Sequence, residues 1–197
     1  MAAVRRRQLP VSLDLHSLFA DGRSGVLAFG VTDVSAVPAE LERIPHDLGV
    51  ALLTIVRDGD LELVFDEIGK LGAVNFGFAD GDLLADPVLE ALAGKAANGP
   101  VIGDRDLKAF VRLADFAAVA QPFGSFELTG RTSDGWLRLT ATSAASSARF
   151  EFLSRAANAP AGGTPDYFLY GISVVSVVYE ARLTSLMNSQ YGETHVL

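Results

Sequence analysis

The dipeptide Asp-Gly occurs four times, at Asp21-Gly22, Asp58-Gly59, Asp80-Gly81 and Asp134-Gly135, and each copy bounds a run rich in Val, Leu, Ile, Phe or Thr. A two-residue hairpin turn needs central residues that tolerate positive φ, and Asp-Gly meets that need. A chain punctuated this way is expected to fold into antiparallel hairpins. The stretch LLTIVRDGDLELVFDE, Leu52 to Glu67, is the clearest case. Centring the turn on Asp58-Gly59 pairs Arg57 with Asp60, Val56 with Leu61, Thr54 with Leu63 and Leu52 with Phe65. One face is then largely apolar, and the other sets Ile55 beside Glu62 and Leu53 beside Val64. The carboxylates Asp58, Asp60, Glu62, Asp66 and Glu67 become the wet edge of a hairpin. They do not form a calcium loop, because those after Asp60 alternate with large apolar residues.

The same logic extends along the chain. In SFELTGRTSDGWLRLTAT, Ser125 to Thr142, a four-residue loop Thr132 to Gly135 pairs Leu128 with Leu139 and Glu127 with Thr140. It also sets Arg131 beside Trp136. Ala148 to Leu153 follows as a third strand, which makes a meander. Strands are also read at AVNFGF, before Asp80-Gly81, and at SGVLAFGVTDV, after Asp21-Gly22. The run Tyr167 to Tyr179 is apolar on both faces, which marks a central strand. Strict alternation puts Phe168, Tyr170, Ile172, Val174 and Val178 on one face, with Tyr167, Leu169, Val175, Val177 and Tyr179 on the other.

Helices are fewer. Asp104 to Pro122 carries an apolar face of Leu107, Phe110, Val111, Ala114 and Ala118, with Asp104 as cap. Asp86 to Gly94 is a second, with Pro87 in its first turn. Pro38 to Ile44 is a short third, closed by Pro45. The stretch Ala181 to Gln190 is a candidate fourth. The expected fold is therefore α+β and β-rich: an antiparallel sheet or two-layer sandwich of six or more strands, with two or three helices packed on it. The expected organisation is a basic tail over residues 1–10, a core domain over 11–155, a Gly/Pro-rich loop over 156–166, and a strand and helix over 167–197 that meet either the core or a partner.

Composition narrows the chemistry. Cysteine is absent, which excludes disulfides, thiolate metal sites and cysteine nucleophiles. A net charge of −8 disfavours a nucleic-acid-binding role. Charged residues make up only 20% against 49% hydrophobic, the balance of a subunit that hides part of its surface against a partner. Arg far outnumbers Lys, and Ala, Gly and Val abound, a composition that suits a bacterial or phage origin. No signal peptide is read at the start, because no apolar run follows the basic residues. A cytoplasmic location, or one within an assembled particle, is the corresponding expectation. The longest apolar run is too short for a transmembrane helix.

Searches for chemistry return little. No paired-His metal motif, nucleophile elbow, P-loop or dinucleotide fingerprint occurs. The Gly-x-x-Gly of IGKLG, Ile68 to Gly72, lies between strands instead of helices, so it reads as a turn and not as a nucleic-acid clamp. His46 beside Asp47 is the one candidate catalytic pair, since a carboxylate can orient a histidine base. His16 and His195 stand apart from any such partner. No metal and no cofactor is expected. The partner-binding candidates are Arg5, Arg6 and Arg7 in the tail, with Tyr167, Leu169, Val175 and Val177 in the apolar strand. By elimination the sequence reads as a non-enzymatic structural or assembly subunit, a homo-oligomer or part of a protein assembly. The alternative is a small enzyme or ligand-binding protein with a site gathered around His46.

Overall fold

A computed structural model of the chain describes residues 13–77, 101–102, 105–106, 112–131, 136–154 and 167–191. Helix α1 (Leu15–Asp21) starts at Asp14, whose carboxylate accepts from the His16 N–H at 3.0 Å and from the Ser17 hydroxyl at 2.6 Å. Leu15, Leu18 and Phe19 follow at i, i+3, i+4 spacing and are buried as one face. The helix ends at Gly22 in the left-handed region, with φ 70°, and the Gly22 N–H closes onto the Leu18 carbonyl. Asp21-Gly22 is thus a helix end and not a hairpin turn. The strand expected after it is only a pair of two-residue strands, β1 (Arg23–Ser24) and β2 (Leu27–Ala28), which pair with each other.

The main sheet has eight strands, all antiparallel. It contains β3 (Glu42–Asp47), β4 (Leu52–Asp58), β5 (Leu61–Phe65) and β6 (Leu71–Gly77). Strands β7 (Val101–Ile102) and β8 (Arg105–Asp106) form a separate small pair. The remaining strands are β9 (Glu127–Arg131), β10 (Trp136–Thr142), β11 (Ser146–Ser154) and β12 (Tyr167–Ser176). The order across the sheet is β3-β4-β5-β6-β12-β11-β10-β9. Two four-strand meanders therefore meet through their last strands, β6 and β12. The fold is α+β and β-rich, and its main sheet is single instead of a sandwich. Helices α2 (Leu113–Val119) and α3 (Val177–Tyr191) complete the described helices.

Several local expectations are corrected. Pro38 to Ile44 is not a helix: residues 42–47 form the edge strand β3, and Pro45, which lacks an N–H, is tolerated there because one side of an edge strand is unpaired. The helix expected from Asp104 is short. Residues 105–106 are strand, residues 107–111 lie outside the described residues, and α2 buries Phe116 while Ala114 and Ala118 are exposed. The expected helix Asp86 to Gly94, the turn Asp80-Gly81, the tail 1–10 and the loop 156–166 also lie outside the described residues.

Register differs in instructive ways. The β4–β5 loop is Gly59-Asp60, so Asp58 faces Leu61, Arg57 faces Glu62, Val56 faces Leu63 and Thr54 faces Phe65. Gly59, at φ 63°, takes the first loop position. The slide moves each partner by two residues and keeps every side chain on its expected face. In β9–β10 the pairs Leu128–Leu139 and Glu127–Thr140 form as expected, but a bulge at Thr129 then sets Gly130 opposite Arg138. Arg131 stands opposite Leu137 in the ladder, not opposite Trp136, and Arg138 lies over the Trp136 ring at 4.6 Å. In β12 a bulge leaves Tyr170 without a partner in β11, between the pairs Leu169–Phe152 and Gly171–Glu151. Alternation inverts there. Leu169 joins Ile172 and Val174 in the main core instead of sharing a face with Val175. The strand ends at Ser176, and Val177 to Tyr179 open α3.

Each face of the sheet has its own core. One face packs on α1, α2 and the 3-10 turn Gln121–Phe123. Phe116 of α2 sits 4.7 Å from Phe150 and 5.2 Å from Phe152 between ring centroids, and Phe123 bridges Phe19 at 4.9 Å to Phe150 at 5.2 Å. On the opposite face, α3 covers Leu53, Val64, Ala73 and Val175 with Tyr179, Leu183 and Leu186. A Cβ at Gly72 would stand 2.5 Å from the Tyr179 ring, so the ring rests directly on the β6 backbone. Arg182 of α3 holds Glu67 at 2.5 Å and Asp66 at 3.6 Å, and Arg149 of β11 pairs with Glu180.

Two predictions follow from the seat of α3. Gly72→Ala should destabilise the protein by about 1–3 kcal/mol in urea unfolding, because the added methyl displaces the Tyr179 ring. In a Tyr179→Ala background the same change should cost almost nothing, and equal cost in both backgrounds would disprove the contact. Burial, followed by the charges of Asp66 and Glu67, pushes the Tyr179 phenol up from 10.0 to about 12. The neutral phenol is the form the fold favours. Its contribution is therefore full below pH 10 and is lost as pH rises towards about 12. Tyr179→Phe should flatten stability against pH across that window, as read by denaturant midpoints.

Candidate functional site

Beyond the α3 seat, the outer face of the sheet is polar, and the strand registers line its polar residues into one row. Glu42 of β3 faces Arg57 of β4, which faces Glu62 of β5, which faces Asn75 of β6. The row continues through Ser173 of β12, Arg149 of β11, Thr140 of β10 and Glu127 of β9. Every strand of the main sheet contributes one polar side chain. Opposite charges stand side by side where the chain permits. The Arg57 guanidinium donates to Glu62 Oε1 at 2.6 and 3.1 Å and lies 3.8 Å from Glu42. The Ser173 hydroxyl donates to Asn75 Oδ1 at 2.7 Å, and the Thr129 and Thr140 hydroxyls share a 2.7 Å hydrogen bond.

Two residues further along β6 and β12, the row changes character. Gly77 faces Gly171, so the middle of the sheet has no side chain on that line. Glu151 and Arg138 follow on β11 and β10, and Arg138 donates to Glu151 Oε1 at 2.7 and 3.1 Å. The result is a groove of about 410 Å³ floored by the two glycines, with Arg57, Glu62, Asn75, Ser173, Glu151 and Tyr170 around it. Its hydrogen-bonding groups are held in place by one another. They are not arranged for nucleophilic attack. The Ser173 hydroxyl gives its proton to an amide oxygen, which is no base, and no histidine is among the described lining residues.

A second surface lies at one end of the sheet. The segment from Val26 to Asp33 is sewn to the β5–β6 turn, since Gly30 N–H donates to Leu71 O and Leu71 N–H to Thr32 O, while the Thr32 hydroxyl donates to Val26 O within the segment. Lys70 pairs with Asp33 at 3.3 Å. Hydrogen bonds from the Ser35 side chain and backbone, with Lys70, hold the Asp33 carboxyl down at about 2. Around these links stand Val26, Val31 and Ile68, exposed at 70%, 71% and 59%. Val178, exposed at 74%, opens α3, which Arg182 ties to the same turn.

The residues singled out from the sequence are dispersed. His46 lies on the edge strand β3 opposite Leu53, and Asp47 lies opposite Leu52. Successive strand residues point to opposite faces, and Asp47 accepts from the Gly49 N–H at 2.7 Å as a turn residue. The two are not brought together as a base and its orienting acid. His16 meets Phe123 edge-on at 5.9 Å between centroids. Leu169 is fully buried in the main core, Tyr167 packs against that core, Val175 lies under α3, and Val177 begins α3. Arg5, Arg6, Arg7 and His195 lie outside the described residues. The polar row and the glycine floor escaped the sequence reading. Their one visible signal was the polar phase of each strand, and the lateral alignment depends on the β6–β12 pairing.

The acidic hairpin behaves as hairpin chemistry. Glu62 is held by Arg57, Glu67 by Arg182, and Asp66 accepts from the Ile68 and Lys70 N–H groups at 3.1 and 2.8 Å. Among the described residues, no group of three or more His, Asp or Glu is placed to hold a metal ion. Millimolar calcium or magnesium should therefore leave the melting temperature unchanged. A rise removed by Asp58→Asn or Asp60→Asn would show a cation site at the turn.

Among the described residues no helix is long and apolar enough to cross a membrane. No family model matches the chain, and no curated protein or solved structure shows significant similarity to it.

Proposed function

We propose that the protein is a non-enzymatic assembly subunit that associates with copies of itself or with a protein partner, as in a bacterial or phage particle. The observation that carries this reading is the end of the molecule where Val26, Val31, Ile68 and Val178 stand 59–74% exposed. Val26, Val31 and Ile68 stand on segments linked at the β5–β6 turn, and Val178 opens the helix that Arg182 ties to that turn, so these exposed aliphatic side chains suit contact with another apolar surface. The loops that carry Val26, Val31 and Ile68 are linked by backbone hydrogen bonds and the Lys70–Asp33 pair, so little ordering is needed on association.

The sheet edges favour the same surface by default. Edge strand β3 carries Pro45 with Glu42, Arg43 and Asp47, and edge strand β9 is bent by the bulge at Thr129. Both devices discourage strand-to-strand addition. A second reading, ligand binding, is favoured by the groove over Gly77 and Gly171 and is compatible with the first.

Sedimentation or light scattering tests the assembly reading. The wild type is expected to be larger than a monomer, alone or with its partner. Val31→Asp combined with Ile68→Asp should shift it to monomer with an unchanged melting temperature, since both side chains are mostly exposed. If the double variant keeps the wild-type mass, the association does not use this surface. A wild type that stays monomeric at high concentration, and captures no partner through these residues, overturns the proposal.

A further inference from the structure

The groove on the outer face contains space that the fold does not require. Among the described residues, nothing stands within 4 Å of where a Cβ on Gly77 would lie. One on Gly171 would make only ordinary contacts, at 3.5 Å to the Phe76 carbonyl and 3.6 Å to Glu151 Oε2. Neither glycine is among those with positive φ. Glycine within a strand weakens it, and its presence there marks a bulge or a close approach by another molecule. Gly171 adjoins the bulge at Tyr170, and Gly77 is the last residue of β6.

The walls are pre-set for hydrogen bonding. Arg138 is clamped between the Trp136 ring and Glu151 Oε1, which leaves Glu151 Oε2 over the Gly171 floor. Arg57 fixes Glu62 in the same manner on the opposite wall. Between them the Asn75 amide and Ser173 hydroxyl hold one another. Planar acceptors and donors, each locked by a neighbour, suit a ligand whose groups both give and take hydrogen bonds. Tyr170 adds an aromatic surface.

From this we infer that the groove binds a neutral carbohydrate, a mono- or disaccharide unit, through its hydroxyl groups. Its volume of about 410 Å³ suits a small ligand. Charge selects the class. Asp60, Glu62 and Glu151 outnumber Arg57 in the lining, which disfavours phosphates and acidic sugars. Both glutamates are already held by arginines, which weakens their pull on a free cation. The hydroxyls of a neutral sugar match what remains.

The test is a titration of the full chain with glucose, galactose, mannose, N-acetylglucosamine, maltose and lactose, followed by saturation-transfer NMR and calorimetry. Inorganic phosphate and spermidine serve as anionic and cationic probes. At least one neutral sugar is expected to bind saturably. Gly77→Leu, which fills the groove from an open position, should abolish that binding at an unchanged melting temperature. Glu151→Gln keeps the volume and should weaken binding roughly tenfold or more by disturbing a fixed acceptor. Should Gly77→Leu fail to fold, Glu151→Gln decides the question alone. Binding of phosphate or spermidine without any sugar, no binding of any probe, or sugar binding that survives both substitutions would each overturn the inference.

Discussion

Five residues of β6, Ala73 to Gly77, pair antiparallel with five of β12, Gly171 to Val175, and this pairing joins the two meanders into one sheet. The partners lie about a hundred residues apart, so closing that loop is entropically costly. Burial on both faces at the same place offsets the cost. Val74 and Val174 face each other in the main core, and Ala73 and Val175 face each other under α3. Two further consequences come from the same five pairs. Asn75 meets Ser173, which completes the polar row, and Gly77 meets Gly171, which opens the groove floor.

Helix α3 then divides the outer face. Its seat depends on close approach: Gly72 lets the Tyr179 ring touch the backbone of β6, and the phenol is drawn out of water beside Asp66 and Glu67. Arg182 neutralises that acidic turn from the same helix, and Glu180 reaches Arg149 in the polar row. Surface ion pairs of this kind contribute modestly one by one. The apolar part of the outer face is thereby closed within the chain, and the polar part with its groove stays open. The double-sided apolar strand therefore finds its second cover in its own C-terminal helix.

The proposed association surface and the proposed ligand groove lie on different parts of the molecule. Val26, Val31 and Ile68 sit on loops at one end, where the Val26 to Asp33 segment crosses the β5–β6 turn, and Val178 stands in the first turn of α3. The groove lies on the face of the sheet, on strands whose side chains hold each other in register. A rigid sheet positions hydrogen-bonding groups more closely than a loop does.

Local sequence was enough wherever one short-range rule acted. Asp58-Gly59 with its alternating flanks gave the β4–β5 hairpin and the face of every side chain in it, because the period of a strand is two. Leu128 opposite Leu139 and the strand at Ala148 to Leu153 were legible for the same reason, as was a helix over Ala181 to Gln190. The misses came where a single residue broke a period or where the neighbour was remote. Nothing local distinguishes Thr129 or Tyr170 as bulge residues, yet each bulge reverses a pattern, and the one at Tyr170 sends Leu169 into the main core. Pro38 to Ile44 has helical composition, but pairing with β4 made residues 42–47 an edge strand. By itself the sequence determined the class of the fold, the absence of cysteine chemistry and the phase of most strands. The tertiary structure alone decided which strands became neighbours, because lateral pairing is chosen by burial summed over distant segments. The polar row, the seat of α3 and the groove over Gly77 and Gly171 all exist only after that choice.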